Sequence, residues 1–247
     1  MNHKIIDINC DVGEGIGNEP ILLPLISSCN IACGGHAGNE KTISEIVKLA
    51  KKYRVKVGAH PSYPDKENFG RKVIDIADEG LKISIRKQIY TFLKVAESEQ
   101  AKMNHIKPHG ALYNELMTDL PLALTFLEAI KGFKNNTFLY VPYNSVVAKE
   151  ALSQGFKIKY EAFCDRNYND DLTLVSRKEK NALITSPKSV LNHILRLIED
   201  KSVKTISGSF KRIKADTFCV HGDTPEAIEI LTYLSNELPK KSIEIGK

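Results

Sequence analysis

Asn104-His105-Ile106-Lys107-Pro108-His109-Gly110-Ala111-Leu112-Tyr113-Asn114 joins a short strand-like run to a cluster of histidine, lysine and glycine. The apolar character stops within a few residues, and what replaces it is titratable. The same event recurs in Asp7-Ile8-Asn9-Cys10-Asp11-Val12-Gly13-Glu14, Asn30-Ile31-Ala32-Cys33-Gly34-Gly35-His36 and Gly58-Ala59-His60-Pro61-Ser62-Tyr63. It returns in Glu161-Ala162-Phe163-Cys164-Asp165-Arg166 and Cys219-Val220-His221-Gly222-Asp223. A strand with a polar end, followed by an amphipathic helix, is the unit of an α/β barrel, whose strand ends converge on one face.

Strand-like runs rich in β-branched and apolar residues occupy positions 4–8, 30–33, 55–59, 104–107, 137–141, 158–163 and 217–220. Helices alternate with them. Asn39 precedes Ile43, Ile46, Val47 and Ala50 at the spacing of one buried helix face. Residues 78–99 repeat that pattern with Leu81, Ile85, Ile89, Phe92 and Ala96, and Asp119 with Pro121 opens a third helix. Ser145 starts a shorter one that stops at Gly155. Ser186-Pro187 and Thr224-Pro225 each place an N-cap before a proline at the first helical position. The alternation predicts an α/β fold, a distorted (β/α)7 TIM-like barrel, as a single catalytic domain over residues 1–247. An open doubly wound sheet would gather its chemistry at one switch point, whereas here nearly every strand end carries some. Residues 167–181 read as a long loop or hairpin, and 203–213 as a small extra ribbon.

Of 247 residues, 42% are hydrophobic and 26% charged, the balance of an ordinary globular chain. The net charge of +5 is mild, and the lysines scatter over helix faces, so no nucleic-acid partner is expected. No apolar stretch reaches the roughly 18 residues that span a membrane, and the first residues lack the apolar segment of a signal peptide. Five cysteines without a CxxC pair argue against a disulfide framework, which makes the reducing cytoplasm the expected compartment.

Five of the seven histidines, His36, His60, His105, His109 and His221, sit at or just beyond strand ends. Gathered at one barrel mouth they predict proton-transfer chemistry; His193 reads instead as a helix packing residue. Asp7, Asn9 and Asp11 share one side of the first strand by alternation, with Asp7 and Asn9 expected near its top and Glu14 joining them. Asp165 and Asp223 finish later strands, although Asp223 also suits a helix cap. Lys107, at the end of an apolar strand, needs an anion, and Arg71 and Arg166 add fixed positive charge from loops. Together they suit a small substrate carrying carboxylate or phosphate. Asp11 with two of His36, His60, His105 and His109 has the donor types of a zinc site, Asp11, His60 and His109 being the named candidates. Cys10, Cys33, Cys164 and Cys219 read as small core fillers, with a Cys33 nucleophile as the less favoured reading. No P-loop or GxGxxG pattern occurs.

On these residues the chain resembles the LamB/YcsF family. The matching segments are residues 7–15, 27–38, 58–65 with Phe69-Gly70-Arg71, 105–114, 161–166 with Tyr168, and 216–225. Gly35, Pro142-Tyr143-Asn144-Ser145 and Lys180-Asn181-Ala182 depart from the family pattern. The resemblance implies a barrel akin to the polysaccharide deacetylase-like superfamily, some of whose members hold a metal on Asp and two His. It also implies ATP-dependent hydrolysis of 5-oxo-L-proline to L-glutamate with the 5-oxoprolinase subunits B and C as partners; a homo-oligomer is left open. Phosphorylating the lactam oxygen would expose an imidate-like carbon to water, with phosphate leaving. Asp11, His60, Lys107 and His109 are then the expected catalytic residues. Asn9, His36, Arg71, Asp165, Arg166, His221 and Asp223 are the expected substrate- or phosphate-binding set. Lys107→Met is expected to abolish turnover and leave the fold intact. The rival readings are a metal-dependent amidase or deacetylase acting alone and a non-catalytic subunit that binds a small anion.

Overall fold

The computed structural model describes residues 3–224 and 226–247. In chain order its strands are β1 (Lys4–Ile6), β2 (Ile8–Val12), β3 (Ser28–Ala32), β4 (Lys56–His60), β5 (Met103–Ile106) and β6 (Phe138–Pro142). Then come β7 (Lys157–Phe163), β8 (Ser202–Lys204), β9 (Phe210–Arg212), β10 (Thr217–Cys219) and β11 (Ile243–Ile245). Seven of these close into a barrel in the order β10-β2-β3-β4-β5-β6-β7, every pair parallel. The expected (β/α)7 architecture is therefore present. β8 and β9 form the extra antiparallel ribbon anticipated over 203–213.

The helices are α1 (Glu19–Leu22), α2 (Glu40–Lys52), α3 (Asp78–Ser98), α4 (Gly110–Glu115), α5 (Leu120–Ile130), α6 (Val146–Ser153), α7 (Pro187–Glu199) and α8 (Ala227–Glu237). Their starts follow local chemistry. Asn39, Asp119 and Ser145 each accept the backbone N–H three residues on, at 3.0, 2.9 and 3.2 Å, which satisfies donors that the first turn leaves free. α2 buries Ile43, Ile46, Val47 and Ala50 as its spacing predicts. Ser186 makes no such side-chain cap. Thr224 is not a cap either, because its hydroxyl donates to Asp165 at 3.0 Å; Pro225 lies outside the described residues. No helix among the described residues is long and apolar enough to cross a membrane.

The first strand differs from expectation. Residues 4–8 are not one barrel strand: β1 pairs with β11 outside the barrel, and the barrel strand is β2. Asp7 thus marks the bottom of β2 rather than its top. Its carboxylate accepts from Ser28 (2.8 Å) and Thr217 (2.7 Å) and lies 3.5 and 3.7 Å from Lys56 and Lys159. The strand continues through Asn9 and Asp11 because the barrel interior offers each a polar partner.

That interior is polar in layers, unlike the branched apolar filling usual in such barrels. Above Asp7, the Asn9 amide donates to Glu161 (2.9 Å) and Thr217 (2.8 Å), and Asn30 donates to Asn9 and Asp11 (both 2.7 Å). His105 meets Asn30 Oδ1 at 2.6 Å and stacks on Tyr140, ring centroids 4.1 Å apart. Burial pushes its pKa down to about 3, so it is neutral. Gly58 faces this ring, and a Cβ there would collide with the imidazole. Gly58→Ala is therefore expected to cost about 1–3 kcal/mol, or about 2–4 °C of melting temperature per kcal/mol in a chain of this size. An unchanged calorimetric melt would show that the His105–Tyr140 layer is free to move.

Candidate active site

Pairing between β4 and β5 outlasts the strands themselves. Lys107 N–H donates to Ala59 O (3.0 Å) and His109 N–H to Pro61 O (2.9 Å), so both side chains reach the barrel mouth beside His60. Gly110 then turns into α4 with φ +57°, and a Cβ there would strike the Gly70 carbonyl. That carbonyl accepts from Ala111 N–H at 2.9 Å, bringing the 61–71 loop over His109.

Lys107 is buried at the centre. Its ammonium lies 2.9 Å from Asp11 Oδ1, 3.0 Å from Glu161 Oε1 and 3.2 Å from Cys219 Sγ. Burial alone would lower its pKa, but Asp11 and the other groups facing it raise it well above the ordinary lysine value. Burial would likewise raise Asp11, and His60 and Lys107 overcome that, holding its carboxyl well below the usual range. The anion that Lys107 requires is thus supplied from within the chain.

On one side stand His36, His60 and His109 around Glu14. The Glu14 carboxylate is 2.9 Å from His36 Nε2 and 3.3 Å from His109 Nδ1. His36 stacks on His109 with centroids 3.6 Å apart and planes 3° from parallel. Burial lowers the pKa of His36, and burial plus the two neighbouring imidazoles takes His109 well below the ordinary value. On another side, Asp165 accepts from the His221 backbone N–H (3.0 Å), from His221 Nδ1 (3.0 Å) and from Thr224. A buried carboxylate thus fixes the orientation and tautomer of one more imidazole.

The outer wall is cationic. Arg71 and Arg177 both pair with Asp223, Arg177 at 3.1 Å. Arg166 donates to Val175 O at 2.6 Å, while its buried Nε has no partner. Burial, helped by Arg177, brings the Arg166 pKa down to about 10, which still leaves it charged near neutrality. A cavity of about 590 Å³ opens between these groups, within the range of small-molecule sites.

Of the residues singled out from sequence, Asp11, His60, Arg71, Lys107, His109, Arg166, His221 and Asp223 line this cavity. Asn9, His36 and Asp165 do not. Asn9 is one layer down, bonded to Glu161 and Thr217. His36 lies behind His109, and Asp165 behind His221. His105 is also below the mouth, and His193 is held by Phe163 O at 3.1 Å. Asp223 is occupied by two arginines rather than capping a helix. The thiol of Cys33 is pushed up to about 12 by burial, and those of Cys10, Cys164 and Cys219 go well above their ordinary value for the same reason, so none is a ready nucleophile.

Two groups at the site, Glu161 and Arg177, had no role expected from sequence, and Glu14 was expected only as a member of the first carboxylate cluster, to orient a histidine, act as a base or bind a metal. Glu14 sits between Gly13 and Gly15 in the first polar cluster, which was the available signal. Glu161 shares its face of β7 with Phe163, so strand alternation would have pointed it inward. Arg177 comes from an irregular loop and carried no pattern.

The sequence profile of the LamB/YcsF family matches residues 6–247. The chain is 40% identical over 245 residues to the 5-oxoprolinase A subunit of Thermococcus sibiricus, covering 97% of this chain and 96% of that one. It is 38% identical over 247 residues to the 5-oxoprolinase A subunit of Staphylococcus carnosus, covering 98% of each. Among solved structures it is similar to the lactam utilization protein of Thermus thermophilus, with TM-score 0.91 and 32% identity over 98% of this chain and 99% of that one.

The burial of Lys107 corrects the expectation that Lys107→Met would spare the fold. Removing the ammonium leaves Asp11 and Glu161 facing each other without a cation. The loss expected in urea unfolding is about 3–5 kcal/mol; an unshifted midpoint would mean that water or a proton replaces the ammonium freely. Asp165 generates a second expectation. Burial would raise its pKa, but His221 and Thr224 outweigh that and hold it at about 2. A lowered pKa stabilises the fold above the unfolded value of about 3.9 and is lost as pH falls toward 2. Asp165→Asn should therefore flatten the acid limb of stability between about pH 4 and 2, by about 2 kcal/mol. Parallel limbs in acid titration of the two proteins would contradict the assignment.

Proposed function

The chain belongs to the LamB/YcsF family, and from that premise we propose that it opens 5-oxo-L-proline to L-glutamate as the first of three kinds of subunit in an ATP-consuming 5-oxoprolinase. Subunits B and C are its proposed partners, and the reducing cytoplasm, suited to five unpaired buried thiols, is its proposed compartment. One observation carries the reading: a single cavity has imidazoles held by Glu14 and Asp165 on two sides, and arginines on its outer wall. Proton-transfer groups and anion-binding groups face the same space.

The chemistry explains why both are needed. A lactam carbonyl is a poor electrophile, and transfer of a phosphoryl group from ATP to its oxygen gives ADP and an imidate-like phosphate. Water then adds to that carbon. Departure of phosphate alone, the expectation drawn from the resemblance, would return the lactam. The carbon–nitrogen bond must break instead, giving the open chain as an acyl phosphate, which a second water hydrolyses to glutamate and phosphate. The ring nitrogen needs a proton as it leaves, and the attacking water must lose one.

His60 and His109 meet the cavity beside Asp11 and are the proposed proton acceptors for water. His221, fixed through Nδ1 by Asp165, is the proposed donor to the departing nitrogen, giving up the Nε2 proton of its doubly protonated form and keeping the Nδ1–H on Asp165. Arg166 and Arg177 are placed to hold the carboxylate or phosphate by forked hydrogen bonds. Lys107, already bonded to Asp11 and Glu161, acts by fixing Asp11 and by adding positive potential.

The test is 5-oxoproline-dependent ATP hydrolysis and glutamate release, measured with this chain alone and then with subunits B and C. Turnover is expected in the complete mixture, and His221→Gln should cut kcat by about 10²–10⁴ with the melting curve preserved. No glutamate from the complete mixture, or amide hydrolysis by this chain without ATP, would overturn the reading.

A further inference from the structure

We propose that Glu14, His60 and His109 form a binding site for one divalent transition-metal ion, with its remaining position open to the cavity. Hydrogen positions on the two rings decide the geometry. His60 Nδ1 lies 2.7 Å from the Lys107 carbonyl and His109 Nε2 lies 2.9 Å from the Phe69 carbonyl. A carbonyl oxygen only accepts, so each of these nitrogens carries its ring's proton. In their neutral forms the two rings then turn bare lone pairs inward, His60 Nε2 and His109 Nδ1, and these are 3.0 Å apart.

Two lone pairs at that distance repel each other unless a cation lies between them. Glu14 Oε1 adds a third acceptor, 3.3 Å from His109 Nδ1 and 3.9 Å from His60 Nε2. These separations bracket the edge of a tetrahedron about an ion with ligand bonds of about 2.0–2.2 Å. Two imidazoles and a carboxylate suit zinc, cobalt or a similar ion better than calcium or magnesium. Each ligating ring is also fixed from behind by a carbonyl, the support that metal-binding histidines ordinarily have. All three side chains line the cavity, so the open position faces it. A bound ion there would lower the pKa of a water it holds; because it takes the inward lone pairs of His60 and His109, it would replace those two rings as the means of activating the attacking water.

His36 completes the surroundings without coordinating. Its ring is parallel to that of His109, so the in-plane lone pairs of the two cannot converge on one point. Its Nε2–H donates to Glu14 instead, and its Nδ1 has no partner. Asp11, a metal candidate from sequence, is taken by Lys107 and Asn30 at 2.9 and 2.7 Å. A second donor cluster among the described residues, Asp11 with Cys219 and His221, shares Asp11 and Cys219 with the Lys107 ammonium, which already supplies a cation there. The ion site follows from geometry alone and does not rest on the substrate proposed above.

The experiment is isothermal titration of the metal-stripped chain with ZnCl2 and CoCl2, with elemental analysis and the visible spectrum of the cobalt form. One ion per chain is expected, with cobalt bands of four- or five-coordinate type and a rise in melting temperature. Glu14→Gln and His109→Gln should each weaken zinc binding by more than about 100-fold, and His36→Gln by about 10- to 100-fold. His221→Gln should leave it unchanged. Circular dichroism of each variant confirms that it is folded, and the wild-type cobalt spectrum decides the matter even if one is not. Absence of saturable binding to the wild-type chain would overturn the proposal, leaving a shared proton as the cation. Binding that is lost in His221→Gln but kept in His109→Gln would overturn it too.

Discussion

A buried ammonium between two carboxylates sets the terms for everything above it in this barrel. Taking Lys107 out of water costs several kcal/mol, as does each carboxylate, and the arrangement holds only because the partners come from different strands. Asp11 rises from β2, Glu161 from β7 and Cys219 from β10, all within 3.2 Å of one nitrogen. An apolar barrel interior could not offer those contacts. The polar layers beneath follow from the same need: Glu161 is held by Asn9, Asn9 by Asn30, and Asn30 by His105. Apart from Glu161 Oε2, which has no hydrogen-bond partner, each member satisfies the next, and links satisfied in this way stiffen a fold instead of weakening it.

Loops complete what the strands begin. The 61–71 segment is drawn over the mouth by the Gly70–Ala111 hydrogen bond, and its Phe69 carbonyl then fixes the outer nitrogen of His109. From the opposite side, Asp223 collects Arg71 and Arg177, two guanidiniums from loops far apart in sequence. Without that carboxylate, two cations would face each other across the cavity entrance. The site is thus rigid at its floor and pinned at its rim by ion pairs that an incoming anion can rearrange.

The alternation of strands and helices was legible because helices such as α2, α5 and α6 have a local start signal and a periodic buried face. The polar strand ends gave the functional face for the same reason. Sequence misled where a local pattern had to be placed along the barrel axis. His105 is only two residues before Lys107, yet at about 3.3 Å per residue that is one full layer lower, among hydrogen-bonding residues instead of in the cavity. Asp7 was displaced similarly, since a polar residue after an apolar run looks like a strand end until its partners across the barrel are known. Glu14 and Glu161 acquire their meaning from neighbours more than 40 residues away, His109 and Lys107, and no local pattern carries that. Arg177 belongs to an irregular loop whose path is set by contacts with Arg166 and Asp223.

Lys107 also acts through its backbone, and this joins the charge at the floor to the protonation of the wall. Its carbonyl accepts from His60 Nδ1 while its ammonium binds Asp11, and Asp11 Oδ1 lies 3.5 Å from His60 Nε2. One residue therefore fixes which His60 nitrogen carries the proton and positions the carboxylate beside the other. The Pro108 that follows has no N–H to compete for nearby acceptors, and His109 resumes the β4 pairing at once. In the segment Lys107-Pro108-His109 the order of residues accounts for the geometry: a cation for the floor, a break, and an imidazole whose inward nitrogen must face that of His60. Any cation placed between those two rings is held by the same backbone that holds Lys107, so the positive charge in the floor and the lone pairs in the wall are set as one unit.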